Sequence, residues 1–223
     1  LGSDSAVTAT GSNSAAMVGT DTLQGIESIR GSVFDDSFNG FSANENLNGA
    51  GGTDVLNMGS ELSDLTIDLS QTSGFAGKGS ALMQLADIEN AVGGSGNDVF
   101  RGDVRDNSFD GGAGLDTADF STASRALTVD LGNSVAKSSS GVGGIGTDTL
   151  LNIENVTGGS GSDSILGSDQ ANALRGGLGN DSLDGGVGSD SLYGEGGNDV
   201  LSGGVGDDVL DAGIGSDTLR GGA

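Results

Sequence analysis

A nine-residue pattern of apolar and polar positions dominates the C-terminal part of the chain. From Gly176 to Arg220 it reads GGLGNDSLD, GGVGSDSLY, GEGGNDVLS, GGVGDDVLD and AGIGSDTLR, with glycine mostly at positions one, two and four, aspartate at six and leucine at eight. The first six positions predict a turn, because glycine adopts positive φ and lets backbones approach closely. The last three, such as Ser182-Leu183-Asp184, predict a short strand whose central side chain points inward.

Two such turn–strand units make a coil of about 18 residues, so every second turn stacks on the same edge. The stacking is expected to place Asp181 beside Asp199 and Asp190 beside Asp208. Two carboxylates and several turn carbonyls then face one gap. A cage of six to eight oxygen ligands suits Ca²⁺, whereas softer metals prefer His or Cys, which this chain lacks.

The nonapeptide resembles the RTX (haemolysin-type) calcium-binding repeat. The resemblance implies an all-β fold, a parallel β-roll or β-helix solenoid with calcium-binding turns, widened here by inserted coils. It also implies export by a type I secretion system, with a C-terminal signal beyond these residues.

A longer repeat of 62 to 65 residues organises the rest of the chain. The phrase Ile26-Glu27-Ser28 returns as Ile88-Glu89-Asn90 and Ile153-Glu154-Asn155, and the nonapeptides begin again five residues after each isoleucine. We therefore predict one continuous solenoid, a fragment of a longer chain, with residues 1–30 as the tail of a preceding insert coil. Three RTX units are expected to follow: 31–92, 93–157 and 158–223.

Each RTX unit contains one degraded nonapeptide, with Glu45, Asn107 or Asn172 at the sixth position. This alternation predicts that one edge of the roll keeps its aspartates, in the pairs 36/54, 98/116 and 163/181. The other edge is expected to be poor in metal until Asp190.

Seven calcium sites follow from this register: 36/54, 98/116, 163/181, 181/199, 199/217, 172/190 and 190/208. Seven ions would change the net charge from −24 to about −10. The predicted carboxylate ligands are Asp36, Asp54, Asp98, Asp116, Asp163, Asp181, Asp190, Asp199, Asp208 and Asp217. The predicted backbone ligands lie in the turns at Gly94, Gly96, Gly112, Gly114, Gly159, Gly161, Gly177, Gly179, Gly186, Gly188, Gly197, Gly204, Gly206, Gly213 and Gly215.

The segments between the nonapeptide runs have a different texture. Residues 65–69 (LTIDL) and 127–131 (LTVDL) alternate apolar and polar side chains, which predicts half-buried strands. The Ser/Gly-rich stretches 70–81 and 132–146 are predicted to be surface loops. The sequence leaves two interpretations of these inserts open: wider coils of the same solenoid, or separate recognition loops. Three phenylalanines at eighth positions are expected in the core: Phe38, Phe100 and Phe109.

Composition narrows the function. The chain contains no Cys or His, which excludes disulfides, zinc sites and Ser-His-Asp catalysis. Its net charge of −24 argues against nucleic acid as a partner, and no apolar run is long enough to span a membrane.

Each nonapeptide buries only one large side chain, worth about 1.5–3 kcal/mol, whereas ordering nine residues costs about 1.5 kcal/mol each. We therefore expect calcium to be required for folding. The favoured function is a non-enzymatic, calcium-folded structural roll of a large secreted or cell-surface bacterial protein, of the adhesin or surface-layer type. The alternative is the C-terminal calcium-folding and secretion-assisting region of a secreted protease, lipase or epimerase. Calcium ions are the expected partners, with further copies of the chain or cell-surface components as candidates.

Overall fold

The computed structural model describes residues 7–11, 19–23, 27–40, 44–70, 73–138 and 142–223, and every regular element in them is a β-strand. Their contacts divide the chain into two bodies. The N-terminal body comprises the residues up to Gly102 together with Ser108–Asp116, and the C-terminal body comprises Asp103–Asn107 together with Thr117–Ala223. No helix among the described residues is long and apolar enough to cross a membrane.

The N-terminal body contains two sheets. The first has the order β2-β1-β4-β6-β10-β12 and the second β11-β7-β8-β9-β5-β3. The strands are β1 (Val7–Gly11), β2 (Gly19–Leu23), β3 (Ser28–Arg30), β4 (Asp36–Asn39), β5 (Asn46–Asn48), β6 (Val55–Asn57), β7 (Thr66–Asp68), β8 (Gly74–Lys78), β9 (Ala81–Ala86), β10 (Asn90–Val92), β11 (Val99–Arg101) and β12 (Ser108–Asp110).

The C-terminal body also contains two sheets. The first has the order β16-β15-β14-β18-β20-β22-β24 and the second β23-β21-β19-β17-β13. The strands are β13 (Thr117–Asp119), β14 (Leu127–Asp130), β15 (Val135–Ser138), β16 (Thr147–Leu151), β17 (Asn155–Thr157), β18 (Ser164–Leu166), β19 (Ala173–Leu178), β20 (Ser182–Val187), β21 (Ser191–Gly196), β22 (Val200–Val205), β23 (Val209–Asp211) and β24 (Thr218–Gly222).

Successive nonapeptides enter the two sheets alternately, which confirms the 18-residue coil. Leu183 pairs in parallel with Leu201, and Leu174 with Leu192. Strands such as β20 begin at the seventh position, as predicted, but continue through the first three residues of the next nonapeptide. The turn is therefore shorter than the sequence pattern indicates.

The core is built from the eighth positions. Leu183, Leu192 and Leu201 are at most 1% exposed. The three phenylalanines are buried as predicted, and in the N-terminal body the rings of Phe100 and Phe109, from opposite sheets, lie 5.3 Å apart. The two sheets of that body thus face each other across a thin apolar layer.

The inserts are additional strands of the same sheets. The segments 65–69 and 127–131 form β7 and β14 with buried alternate residues, as predicted. The prediction of surface loops at 70–81 and 132–146 is wrong in its main feature, because β8 and β15 lie there and pair antiparallel with both neighbouring strands. Small residues such as Ala76 and Ala136 are fully buried in these strands, and a pattern based on large apolar residues does not detect them.

The expectation that the aspartate pairs share one edge is also wrong. In the N-terminal body, Asp36 and Asp54 precede or begin strands of the first sheet, whereas Asp98 precedes β11 of the second. The reason is the number of times that the chain crosses between the two sheets. From β4 to β11 it crosses five times, because β7, β8 and β9 all lie in the second sheet and need no crossing between them. An odd number of crossings moves the equivalent turn to the opposite edge.

Candidate metal centres

All seven predicted pairs of sixth-position residues are brought together. In each pair, the backbone N–H of the earlier residue donates to Oδ1 of the aspartate 18 residues later, over 2.7 to 2.9 Å. Asp181, for example, donates to Asp199 and accepts from Asp163. Most of these carboxylates are buried; Asp208 and Asp217, in the outermost coils, are half-buried. The ladder therefore places consecutive carboxylates along the edge of each parallel stack.

A second ladder at the fifth position runs in the opposite direction. The backbone N–H of Asn198 donates to Oδ1 of Asn180 at 2.7 Å, and the N–H of Ser216 donates to Oδ1 of Asn198 at 2.8 Å. Fifth-position side chains thus accept from the following coil, whereas sixth-position side chains accept from the preceding one. The nonapeptide pattern leaves the fifth position variable and does not predict this ladder, although the recurrence of Asn, Asp and Ser there is a visible signal.

The turn glycines are required by the stacking of backbone on backbone. Gly188 has φ of +131°, and a Cβ there would lie 2.7 Å from the carbonyl oxygen of Gln170 in the preceding coil. Gly179 faces the carbonyl of Gly161 in the same way. Of the predicted turn glycines, ten have positive φ: Gly112, Gly114, Gly177, Gly179, Gly186, Gly188, Gly197, Gly204, Gly206 and Gly213. The turns at Gly94, Gly96, Gly159, Gly161 and Gly215 have other φ values.

The aspartate turns fall into two classes according to whether the second carboxylate oxygen, Oδ2, accepts a backbone N–H. In the first turn of each nonapeptide run, Oδ2 accepts the N–H of the residue four positions earlier, at 2.6 Å for Asp36, 2.7 Å for Asp98 and 3.0 Å for Asp163. In the later turns of these runs that keep the sixth-position aspartate, the residue four positions earlier has positive φ, as at Gly177 (+101°) and Glu195 (+71°). Within the described part of the chain, Oδ2 is buried without a hydrogen-bond donor at Asp54, Asp181, Asp190, Asp199 and Asp208.

Burial makes the charge on these carboxylates costly. Burial is the main cause that raises the pKa of Asp54 and of Asp181 to about 6; a backbone hydrogen bond opposes it, and neighbouring carboxylates add a smaller increase. Burial also raises the pKa of Asp98, Asp163 and Asp190. A buried anionic oxygen without a donor is unfavourable unless a proton or a cation neutralises it.

The donor set fits Ca²⁺. Among the described residues no group of three or more acidic, His or Cys side chains converges on one point, so the carboxylates at a turn pair need backbone carbonyls as further ligands. Ca²⁺ accepts mixed carboxylate and carbonyl oxygens in flexible geometry, whereas Mg²⁺ demands a near-ideal octahedron. Turn pairs such as 181/199 would therefore hold calcium, which would supply the charge that the Oδ2 atoms lack.

Two further acidic residues accept a backbone N–H from a stacked turn and were not predicted from the sequence. Glu89, in the Ile88-Glu89-Asn90 phrase, accepts the backbone N–H of Asp54 at 2.9 Å and so continues the sixth-position ladder. Asp148 accepts the N–H of Asn107 at 2.9 Å. The signal for Asp148 is a full nonapeptide, GGIGTDTLL at 143–151, which is out of phase with the repeats that begin at Gly158.

The comparisons with known proteins agree with this geometry. The family model of the RTX calcium-binding nonapeptide repeat matches the chain in four copies, at residues 21–56, 89–120, 157–192 and 193–223. These matches cover more than half of the chain, and they include all seven turn pairs. A search of curated proteins found no match. With its all-β coils and its rows of paired aspartates, the chain belongs to the family of RTX calcium-binding nonapeptide-repeat proteins.

Proposed function

We propose that the chain is the calcium-folded structural roll of a large secreted or cell-surface bacterial protein, of the adhesin or surface-layer type. The observation that carries the proposal is the row of buried Oδ2 atoms without donors at Asp181, Asp190 and Asp199. A row of this kind is stable when a cation lies at each turn, and the fold then becomes a property of the calcium-loaded chain.

Seven turn pairs are the proposed sites, with ligands from the aspartates and turn backbones given above. The three RTX units, at 31–92, 93–157 and 158–223, are part of the same proposal. The C-terminal unit would carry five of the seven sites, which makes it the most calcium-dependent part of the chain. Its support is the continuous hydrogen-bonded row from Asp163 to Asp217.

Charge supports folding outside the cell. A net charge of −24 repels itself in a compact state, and seven Ca²⁺ ions would reduce it to about −10. Extracellular calcium modules bind with dissociation constants of about 10⁻⁴–10⁻³ M. At lower cytosolic calcium the chain would stay unfolded, which suits passage through a type I secretion system before folding.

We further propose that the roll is not catalytic. The buried aspartates are engaged in stacking the turns, and the chain has no His or Cys to act as base or nucleophile. Contacts with other copies of the chain or with cell-surface components are its proposed interactions besides calcium.

The test is a calcium titration of the purified chain followed by far-UV circular dichroism, with Mg²⁺ as the matched control ion. We expect mostly coil in chelator, a β spectrum in calcium at about millimolar concentration, and little change in equal Mg²⁺. A full β spectrum in chelator would refute calcium-dependent folding. Antibodies against the chain should label intact producing cells or their medium, and labelling only after lysis would refute the location.

A further inference from the structure

One stacked turn pair spans 41 residues and involves the insert of the C-terminal body. The N–H of Asn107 donates to Oδ1 of Asp148 at 2.9 Å. The N–H of Thr147 donates to Oδ1 of Asp106 at 2.8 Å, and the N–H of Thr149 donates to the carbonyl of Asn107 at 2.9 Å. Three hydrogen bonds therefore join the turn before β12 to the turn that leads into β16.

The same three bonds hold the 163/181 pair, which is a pair of the regular repeat. There the N–H of Asp163 donates to Asp181 at 2.7 Å, that of Asn180 donates to Ser162 at 3.1 Å, and that of Ser182 donates to the carbonyl of Asp163 at 2.8 Å. Fifth, sixth and seventh positions correspond one to one. The inserted strands β14 and β15 thus lengthen the sequence separation from 18 to 41 residues without changing the bonding of the turns.

The backbone approach is also the same. Gly146, at the fourth position, has φ of +76°, and a Cβ there would lie 2.5 Å from the carbonyl oxygen of Arg105. Gly179 faces the carbonyl of Gly161 in the corresponding place. A carbonyl oxygen of the earlier turn therefore lies at the seam between the two turns in both pairs.

One of the two carboxylate oxygens of Asp148 accepts no hydrogen bond in the described part of the chain. Its residue is fully buried, and Oδ2 has no hydrogen-bond partner among the described residues. Asp103 and Asp106 lie close enough to raise its pKa further beyond the effect of burial. Arg105 forms an ion pair with Asp103, with Nε 2.8 Å from Oδ2. The carboxylates of Asp103, Asp106 and Asp148 interact electrostatically without converging on a single point. The local charge favours a cation.

We propose that a further Ca²⁺ ion binds between the Asn107 turn and the Asp148 turn. This site is separate from the seven tandem sites, and Asp148 lies outside the segments that the family model matches. The inference rests on the calcium role proposed above. Because Asn107 replaces one of the two sixth-position carboxylates, the ion would bind more weakly than at 181/199. It would fasten the inserted strands to the repeats at the calcium level that fills it.

The test compares the wild-type chain with Asp148→Asn by equilibrium dialysis with calcium and by hydrogen exchange resolved along the sequence. We expect one fewer bound ion, and a loss of calcium-induced protection in residues 103–107 and 142–151. At calcium 10 to 100 times the dissociation constant, that loss is about 10- to 100-fold. The matched control is Asp130→Asn, which removes one charge from β14 of the same insert and should keep the full count.

An unchanged ion count and unchanged protection in Asp148→Asn would overturn the inference. If that variant fails to fold, Asn107→Asp decides, because a second carboxylate should tighten calcium binding at this turn pair and unaltered affinity would overturn the proposal. Protection of residues 176–211 in the wild type is the separate readout of the tandem sites. Its absence in calcium would refute the proposed function, whereas its presence without protection at 142–151 would refute only the additional site.

Discussion

Replacing Asp199 by alanine should destabilise the roll far more than replacing Asp36. Asp199 accepts the N–H of Asp181 at 2.8 Å and donates its own N–H to Asp217 at 2.9 Å, so its turn borders two proposed ions. Asp36 donates its N–H to Oδ1 of Asp54, and its own Oδ2 already accepts the N–H of Ser32. Its turn borders one proposed ion.

The magnitude follows from the number of ions lost. At calcium 100 to 1,000 times the dissociation constant, one site stabilises the folded state by about 2.7–4 kcal/mol. Two sites amount to about 5–8 kcal/mol, which is comparable to the free energy of unfolding of a typical domain. The unmet N–H of Asp181, which is buried, adds about 1–3 kcal/mol. Asp199→Ala should therefore unfold much of residues 158–223 at a calcium level where Asp36→Ala only weakens residues 31–57.

The measurement is a calcium titration of both variants by circular dichroism, with hydrogen exchange to locate the loss along the chain. Asp184→Ala is the matched control. Asp184 is an exposed ninth-position residue of β20, so its replacement removes the same charge from a strand and not from a turn. Its calcium midpoint should stay close to that of the wild type.

Equal calcium midpoints for the Asp199 and Asp36 variants would refute the shared-site reasoning. So would full protection of residues 158–223 in Asp199→Ala at the calcium midpoint of the Asp36 variant. Either result would mean that the coils are held mainly by their apolar strands, with the ions as accessories.

Three further predictions follow from the same geometry. Burial raises the pKa of Asp148 to about 8 and that of Asp181 to about 6, above the value of 3.8 in an unfolded chain. The calcium-free roll should therefore gain stability as the pH falls from about 8 to 4, while its calcium affinity falls. Circular dichroism in chelator at both pH values checks the sign, and a calcium-free spectrum that does not change contradicts it. Gly179→Ala should strongly weaken calcium-induced folding, because its Cβ would collide with a carbonyl of the preceding coil, whereas Gly221→Ala has open space and should behave as wild type in the same titration. Phe100→Ala should cost about 3–5 kcal/mol in the N-terminal body, measured by urea unfolding in saturating calcium, and a cost below about 1 kcal/mol would contradict its place in the core.

The regular coil could be predicted from sequence because its determinants are local and periodic. The spacing of nine fixes which glycines turn, which leucines enter the core and which aspartates stack, and the pairing of Leu183 with Leu201 follows from counting. The carboxylate pairs are equally accessible, since two turns 18 residues apart must meet once the strands are parallel.

The inserts were less predictable because their order depends on distant partners. Strand β8 is made largely of small residues such as Gly74 and Ala76, which become strand because β7 and β9 lie on both sides. The role of Asp148 depends on a turn 41 residues away, and the edge on which Asp98 lies depends on how many times the chain crosses between sheets. The local spacing of residues determines none of these three features.

The two opposed ladders give the C-terminal body the character of a one-dimensional lattice. The sixth-position N–H of Asp181 needs the next coil for its acceptor, while the fifth-position N–H of Asn198 needs the coil before it. Neither coil can satisfy its hydrogen bonds alone, so an isolated coil has no stable folded state. Each interface between coils therefore contributes more to the stability than each coil does by itself. The calcium response should then sharpen as coils are added, and a break at one turn would create two new frayed ends whose combined penalty exceeds that of a defect at the terminus.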